Sequence, residues 1–264
     1  MGVEDKSNIK VVILCGGKGT RLREVNELIP KPLVPVGDMP ILWHIMKGYA
    51  IQGYNNFILC LGYKGDTIRD FFLNYVNNNH NITVNLKSGQ ITKHSGETED
   101  WNVTLVNTGL ESNTGKRIHA IKKYLENDPY FLLTYGDGVS DVNIDEVVKF
   151  HESRNVIGTI TGIRASSKYG QVKTNEEGIA TQFVQYPLLD DRINGGFMVL
   201  SKEFLNHPKL AENVPVEDPI VELTKERKIA VYHHDGAWHC MDTPQHFEEL
   251  NKLWSSGKAG WKTW

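Results

Sequence analysis

Short β-type runs at residues 10–15, 56–61, 83–86, 103–107, 130–134 and 157–162 alternate with segments of helical period. That alternation restricts the fold more than any other feature. Residues 40–50 gather Ile41, Leu42, Ile45, Met46 and Tyr49 on one helical face, with Pro40 suited to the first turn. Residues 66–75 do the same with Ile68, Phe71, Phe72 and Tyr75, and residues 114–125 with Ile118, Ile121 and Leu125. Strands that alternate with helices predict an α/β fold whose mostly parallel sheet is covered on both faces and takes ligands at the carboxyl ends of its strands.

The second half changes rhythm, with strand-like pieces at 171–173, 179–183, 193–200 and 229–233 and helices near 219–227 and 244–254. These predict a mixed or small antiparallel extension of the same sheet. No repeat and no low-complexity linker divides the chain, so residues 1–264 are expected to form one domain. Within it, 1–9 would be a flexible extension, 10–160 one binding half and 161–264 a second half with the C-terminal helix.

Composition narrows the function. With 264 residues, 40% hydrophobic and 23% charged, the chain can bury a sizeable core. A net charge of -3 lacks the basic excess of a nucleic-acid surface. Cys15, Cys60 and Cys240 are too few and odd in number for a disulfide framework, which suits a reducing compartment. The polar start MGVEDKSNIK has no apolar stretch for a secretory signal, and no run approaches the roughly 20 residues of a membrane span. A cytoplasmic location with no membrane partner is expected.

The run VVILC ends in GGKGTRL, residues 16–22. The third glycine of a dinucleotide fingerprint is missing, and no Lys-Ser/Thr pair closes a P-loop, so neither motif is present. What remains is a backbone that glycines allow to approach a ligand, with Arg21 offering a fork of donors and Lys31 a mobile point charge. The same residues also suit an ordinary strand-to-helix turn. A second signal is TYGDGVSD, residues 134–141, where Asp137 sits between glycines at a strand end. Such a position suits a hard cation, although turns also favour aspartate. Asp242 in MDTP precedes a cap and the first turn of a helix and supplies a second carboxylate. Two carboxylates, an arginine and a lysine make a consistent set for phosphate chemistry assisted by magnesium (Mg2+).

The motifs GGKGTRL, PKPLVPVGDMPILWHIM, LGYKGD, WNVTLVNTG, TGKRI, YGDGVSDV, INGGFMVL, MDT and WKTW, spread from about residue 10 to the C-terminus, resemble the sugar nucleotidyltransferase family, most closely its glucose-1-phosphate cytidylyltransferase branch. The resemblance implies a Rossmann-like fold of the glycosyltransferase-A type, a homo-oligomer, and transfer of CMP from CTP to a phosphorylated acceptor. Catalytic Arg21 and Lys31 would contact phosphate, and Asp137 and Asp242 would hold Mg2+. The nucleotide would lie against Leu14, Gly16, Gly17, Gly19, Thr20, Arg21, Thr108, Gly109, Thr114, Arg117 and Asp137. The acceptor would meet Gly170, Tyr186, Arg192, Asn194, Gly195, Gly196 and Asp218.

One departure bears on the acceptor. Where the family has Phe-Gln-Glu-Lys-Pro, this chain has Phe183, Val184, Gln185, Tyr186 and Pro187. A tyrosine hydroxyl donates a hydrogen bond but carries no charge near neutral pH. Three accounts stay open: Arg192 supplies the lost cation, the acceptor is a different phosphate or phosphonate, or the chain is a weakly catalytic nucleotide-binding regulator. Elsewhere, His233, His234, His239 and Cys240 could be drawn as a zinc site, but neighbouring histidines on a strand point to opposite faces. The aromatic C-terminus, with Trp254, Trp261 and Trp264, must either pack back or meet another subunit.

Overall fold

The computed structural model describes residues 6–19, 22, 29–167 and 169–264. In chain order its elements are β1 (Lys10–Leu14), β2 (Pro35–Val36), β3 (Met39–Pro40), α1 (Ile41–Ala50), β4 (Asn56–Leu61), α2 (Gly65–Leu73), α3 (Tyr75–Asn78), β5 (His80–Val84), β6 (Ile91–Gly96) and β7 (Asn102–Asn107). There follow α4 (Thr114–Ala120), β8 (Tyr130–Tyr135), β9 (Gly138–Ser140), α5 (Ile144–Glu152), β10 (Gly158–Ile163), β11 (Gln171–Thr174), β12 (Ala180–Val184), β13 (Ile193–Asn194), β14 (Met198–Ser201), α6 (Glu217–Lys225), β15 (Ile229–His234), β16 (Trp238–Cys240) and α7 (Pro244–Ser255).

The central sheet runs β7-β4-β1-β8-β14-β10, with β13 continuing the line of β14 along β10 and β15 on the other side of β10. β7, β4, β1 and β8 are parallel, β14 is antiparallel to both β8 and β10, and β15 is parallel to β10. β13 is antiparallel to β10 as well, so two reversed strands along one line make a mostly parallel sheet mixed.

β1 shows why the sheet must be covered twice. Its side chains alternate between faces, yet Val11, Val12 and Ile13 are all fully buried. Val11 and Ile13 join a core with α1, α5 and Trp261, while Val12 and Leu14 join a second core with α4 and α6. The Trp-rich C-terminus packs back: Trp254, Trp261 and Trp264 surround His44 on α1.

Two expectations change in detail. The run at 83–86 does not enter the central sheet: β5 pairs with β6 in an exposed hairpin of its own. The pieces at 171–173 and 179–183 likewise pair with each other as β11 and β12, a hairpin separate from the central sheet, whereas the pieces at 193–200 and 229–233 supply β13, β14 and β15 and do extend it. Both hairpins are exposed along nearly their whole length. Among the described residues no helix is long and apolar enough to cross a membrane.

Candidate active site

A cleft of about 410 Å³ opens at the carboxyl ends of β1 and β8. Leu14, Gly16, Gly17, Gly19, Lys31, Thr114, Arg117, Asp137 and Asp242 line it, together with Tyr135. Residues named from widely separated motifs thus meet at one rim of the sheet. Thr20 and Arg21 lie outside the described residues.

The convergence of the two aspartates has a local cause. Asp137 leaves β8 and enters β9, which pairs antiparallel with β16 so that Gly138 faces Cys240. The Met241 amide extends the ladder by donating to the Asp137 carbonyl at 2.8 Å. Asp137 and Asp242 therefore emerge from the same end of one two-stranded ribbon. On the far side of that end, α7 begins with Thr243 as its cap and Pro244 in its first turn, and fixes the chain direction just after Asp242.

Lys31 completes the arrangement. It opens a 3-10 turn, Lys31–Leu33, between Pro30 and Pro32. Its ammonium donates to Asp137 Oδ2 at 2.6 Å and to Asp242 Oδ1 at 2.5 Å. Burial of this lysine works against its charge, but the attraction and hydrogen bonds of the two carboxylates outweigh that and raise its pKa.

Arg117 lines the cleft, but its guanidinium is spent on the protein. It donates to the Leu61 carbonyl at 3.0 Å, the Thr108 hydroxyl at 2.7 Å, the Gly109 carbonyl at 2.8 Å and the Gly16 carbonyl at 3.0 Å. These bonds join the ends of β1, β4 and β7 to α4. Thr108 and Gly109 serve as its partners rather than lining the cleft. Burial lowers the Arg117 pKa, though a guanidinium stays charged at any ordinary pH. The same packing explains Gly16: a β-carbon there would fall on the Arg117 guanidinium, and one at Gly62 would lie 2.6 Å from Arg117 Nη1.

The residues expected at the acceptor divide. Asn194 and Gly196 adjoin the cleft through Tyr135: Asn194 Nδ2 donates to the Tyr135 hydroxyl at 3.4 Å, and the Gly196 backbone passes against the Tyr135 ring. Gly195 accepts a hydrogen bond from Trp238 Nε1 at 2.8 Å. Gly170 and Tyr186 instead sit at the ends of the β11–β12 hairpin, away from the cleft lining, with Tyr186 exposed and in left-handed backbone at φ 53. Arg192 donates to the Gly162 carbonyl at 3.1 Å, the His234 carbonyl at 3.0 Å and Asp235 Oδ1 at 2.8 Å. On α6 it is Glu217, not its neighbour Asp218, that reaches the cleft wall, accepting from the Tyr135 hydroxyl at 2.5 Å. Tyr135 and Glu217 were missed from sequence, although Tyr135 stands two places before Asp137.

Asp137 and Asp242 give hard oxygen donors of the kind magnesium takes. Among the described residues no group of three or more histidine, cysteine, aspartate or glutamate side chains could hold a metal ion. A two-carboxylate set fits an ion that keeps water and phosphate oxygens for its remaining positions, which is the habit of magnesium.

Sheet order, the reversed line of β13 and β14 and a cleft at strand ends place the chain among the α/β proteins that bind ligands at that edge. A family model described as nucleotidyl transferase matches residues 10–251, and the chain belongs to that family and is a nucleotidyltransferase. A protein described as probable glucose-1-phosphate cytidylyltransferase from Bacillus subtilis strain 168 is 42% identical over 257 residues, covering 97% of this chain and all of that one. The glucose-1-phosphate cytidylyltransferase of Salmonella typhi is 38% identical with the same coverage. Among solved structures, a UDP-glucose pyrophosphorylase from Acinetobacter baumannii matches with a TM-score of 0.69 at 16% identity, covering 96% of this chain and 95% of that one. HddC from Yersinia pseudotuberculosis matches with 0.66 at 22%, covering 93% and 99%. These two speak for the fold.

Proposed function

We propose that this nucleotidyltransferase is a magnesium-dependent cytidylyltransferase that moves CMP from CTP to a sugar 1-phosphate, glucose 1-phosphate first, and releases CDP-sugar and pyrophosphate. The observation that carries the reading is the Lys31 ammonium held between Asp137 and Asp242 beside the glycine loop. The two full-length cytidylyltransferase relatives supply the base and the acceptor.

In this reaction an oxygen of the sugar phosphate attacks the α-phosphorus of CTP, and the bond to the pyrophosphate oxygen breaks. A phosphate dianion is already a nucleophile, so no general base is required. The barrier lies in bringing two polyanions together in line, which fixed donors and cations reduce. Magnesium on Asp137 and Asp242 would neutralise triphosphate charge. Gly16, Gly17 and Gly19 give the triphosphate close access to the loop backbone. Lys31 holds the reacting phosphates, and Arg21, by the family resemblance, the departing pyrophosphate. Loss of the Lys31 charge should cost about 3 to 4 kcal/mol of transition-state stabilisation, two to three decades in kcat/KM.

A second reading, an acceptor other than a sugar 1-phosphate, draws support from Arg192. Its guanidinium is engaged by Gly162, His234 and Asp235, so it does not make good the charge that Tyr186 lacks. Pyrophosphate release over the four nucleoside triphosphates, crossed with phosphate and phosphonate acceptors, tests both. CTP with glucose 1-phosphate should be the best pair. A large gain on glucose 1-phosphate from Tyr186→Lys would favour the second reading, and no pyrophosphate from any pair would leave only a nucleotide-binding role.

A further inference from the structure

We infer that Lys31 is an internal placeholder for the divalent cation, so that in the nucleotide-free protein the metal must displace the lysine from Asp137 and Asp242 to bind. The inference rests on the reading of those aspartates as metal ligands. The ammonium bridges one oxygen of each carboxylate, at 2.6 and 2.5 Å. A magnesium ion held by both carboxylates needs contacts of about 2.0 to 2.1 Å to oxygens in the same gap. An ion bridging the same two oxygens would need the lone pairs that the ammonium holds, and an ion on the other two would lie close enough to be repelled by it.

The lysine is built to leave. Its backbone is fixed in the turn between Pro30 and Pro32, while its four-carbon stem is flexible and ends in a point charge. That stem lies against the glycine loop, where a β-carbon at Gly19 would be 3.2 Å from Lys31 Cβ. Released from the carboxylates, the ammonium would remain at the cleft wall beside the glycine loop, where the proposed function places the triphosphate. Metal and nucleotide thereby become coupled. The nucleotide offers the lysine new acceptors, and the metal takes over the aspartates. Before nucleotide arrives, Lys31 offsets one of the two negative charges of the neighbouring carboxylates and competes with a metal for their oxygens.

This makes an unusual demand on a catalytic lysine: its removal must weaken turnover but strengthen metal binding. The test is Mn2+ binding to the nucleotide-free, full-length protein, followed by the EPR signal of the free ion. Lys31→Met should bind Mn2+ at least tenfold more tightly than the parent. Lys31→Arg, which keeps a bridging cation, should stay within threefold of the parent. Lys18→Met removes the same charge from the neighbouring glycine loop, but Lys18 pairs with Glu111 instead, so it should leave Mn2+ affinity unchanged. Adding Asp242→Asn to Lys31→Met should abolish the gain. An affinity no higher in Lys31→Met than in the parent, or equal gains in the Lys18 and Lys31 variants, would overturn the inference. The readout needs no turnover, so a failure of the proposed reaction and a failure of the placeholder give separate results.

Discussion

At the scale of single residues, the cleft depends on a cation held by the protein's own backbone. Arg117 binds three carbonyls and a hydroxyl from three strand ends, and each buried acceptor left without its donor costs about 1 to 3 kcal/mol. Gly16 reports on that clamp because a methyl group there collides with a guanidinium that four bonds prevent from moving. A methyl group on Gly17, the next residue, would meet nothing within 4 Å. Gly16→Ala should therefore lose about 2 kcal/mol or more, a fall of roughly 4 °C or more in Tm, and Gly17→Ala should unfold like the parent. Thermal denaturation of the two variants checks this. Equal midpoints would mean that the clamp yields and that Gly16 is tied to the ligand instead.

At the scale of elements, the β9–β16 ribbon turns two distant sequence motifs into one site, and α5 shows what helix reading can miss. Asn143 accepts a hydrogen bond from the Glu146 amide at 3.1 Å, and Ile144, Val147, Val148 and His151 form the buried face. Asn143→Ala should cost about 1 kcal/mol, and Asn143→Asp only a few tenths. Urea unfolding measures both, with pyrophosphate release unchanged because α5 contributes nothing to the cleft lining. The signal for α5 was present as Asn143 followed by Glu146, but its short apolar stripe is easily passed over. The central strands β1, β4 and β8 were legible because burial on both faces demands continuous apolar runs. β5, β6, β11 and β12 were harder to place because no second layer covers them, so their pattern records no inner face. Asp137, Asp242 and Lys31 were legible as charges in turn positions unsuited to packing. The roles of Arg117 and Arg192 were not, because their partners are largely backbone carbonyls, which leave no mark in side-chain sequence, and Glu217 needed the fold to bring α6 beside Tyr135.

At the scale of the whole molecule, two buried histidines and a half-buried one couple the fold to pH. His44 bonds the Val36 carbonyl through Nε2 at 2.8 Å inside a cage of tryptophan rings. His151 lies between the Thr159 and Ser201 hydroxyls at 3.0 Å each, and His239 packs on Trp261. Burial lowers the pKa of all three. Their folded-state values thus lie below the unfolded value of about 6.5. Above that pH the imidazoles are neutral in both states and do not alter stability. As pH falls below it, the unfolded chain takes up protons that the native state refuses, so stability is lost until the lowered native values are reached. Each histidine can contribute a slope of up to about 1.4 kcal/mol per pH unit, and three together up to about 4. Urea unfolding at pH 7.5, 6.5 and 5.5 should show a flat limb followed by a steep decline. His151→Gln, which keeps a hydrogen-bonding side chain and removes one titration, should make the decline shallower without moving its onset. A parent stability unchanged between pH 6.5 and 5.5 would show that these rings take up protons in the native state as readily as in the unfolded chain.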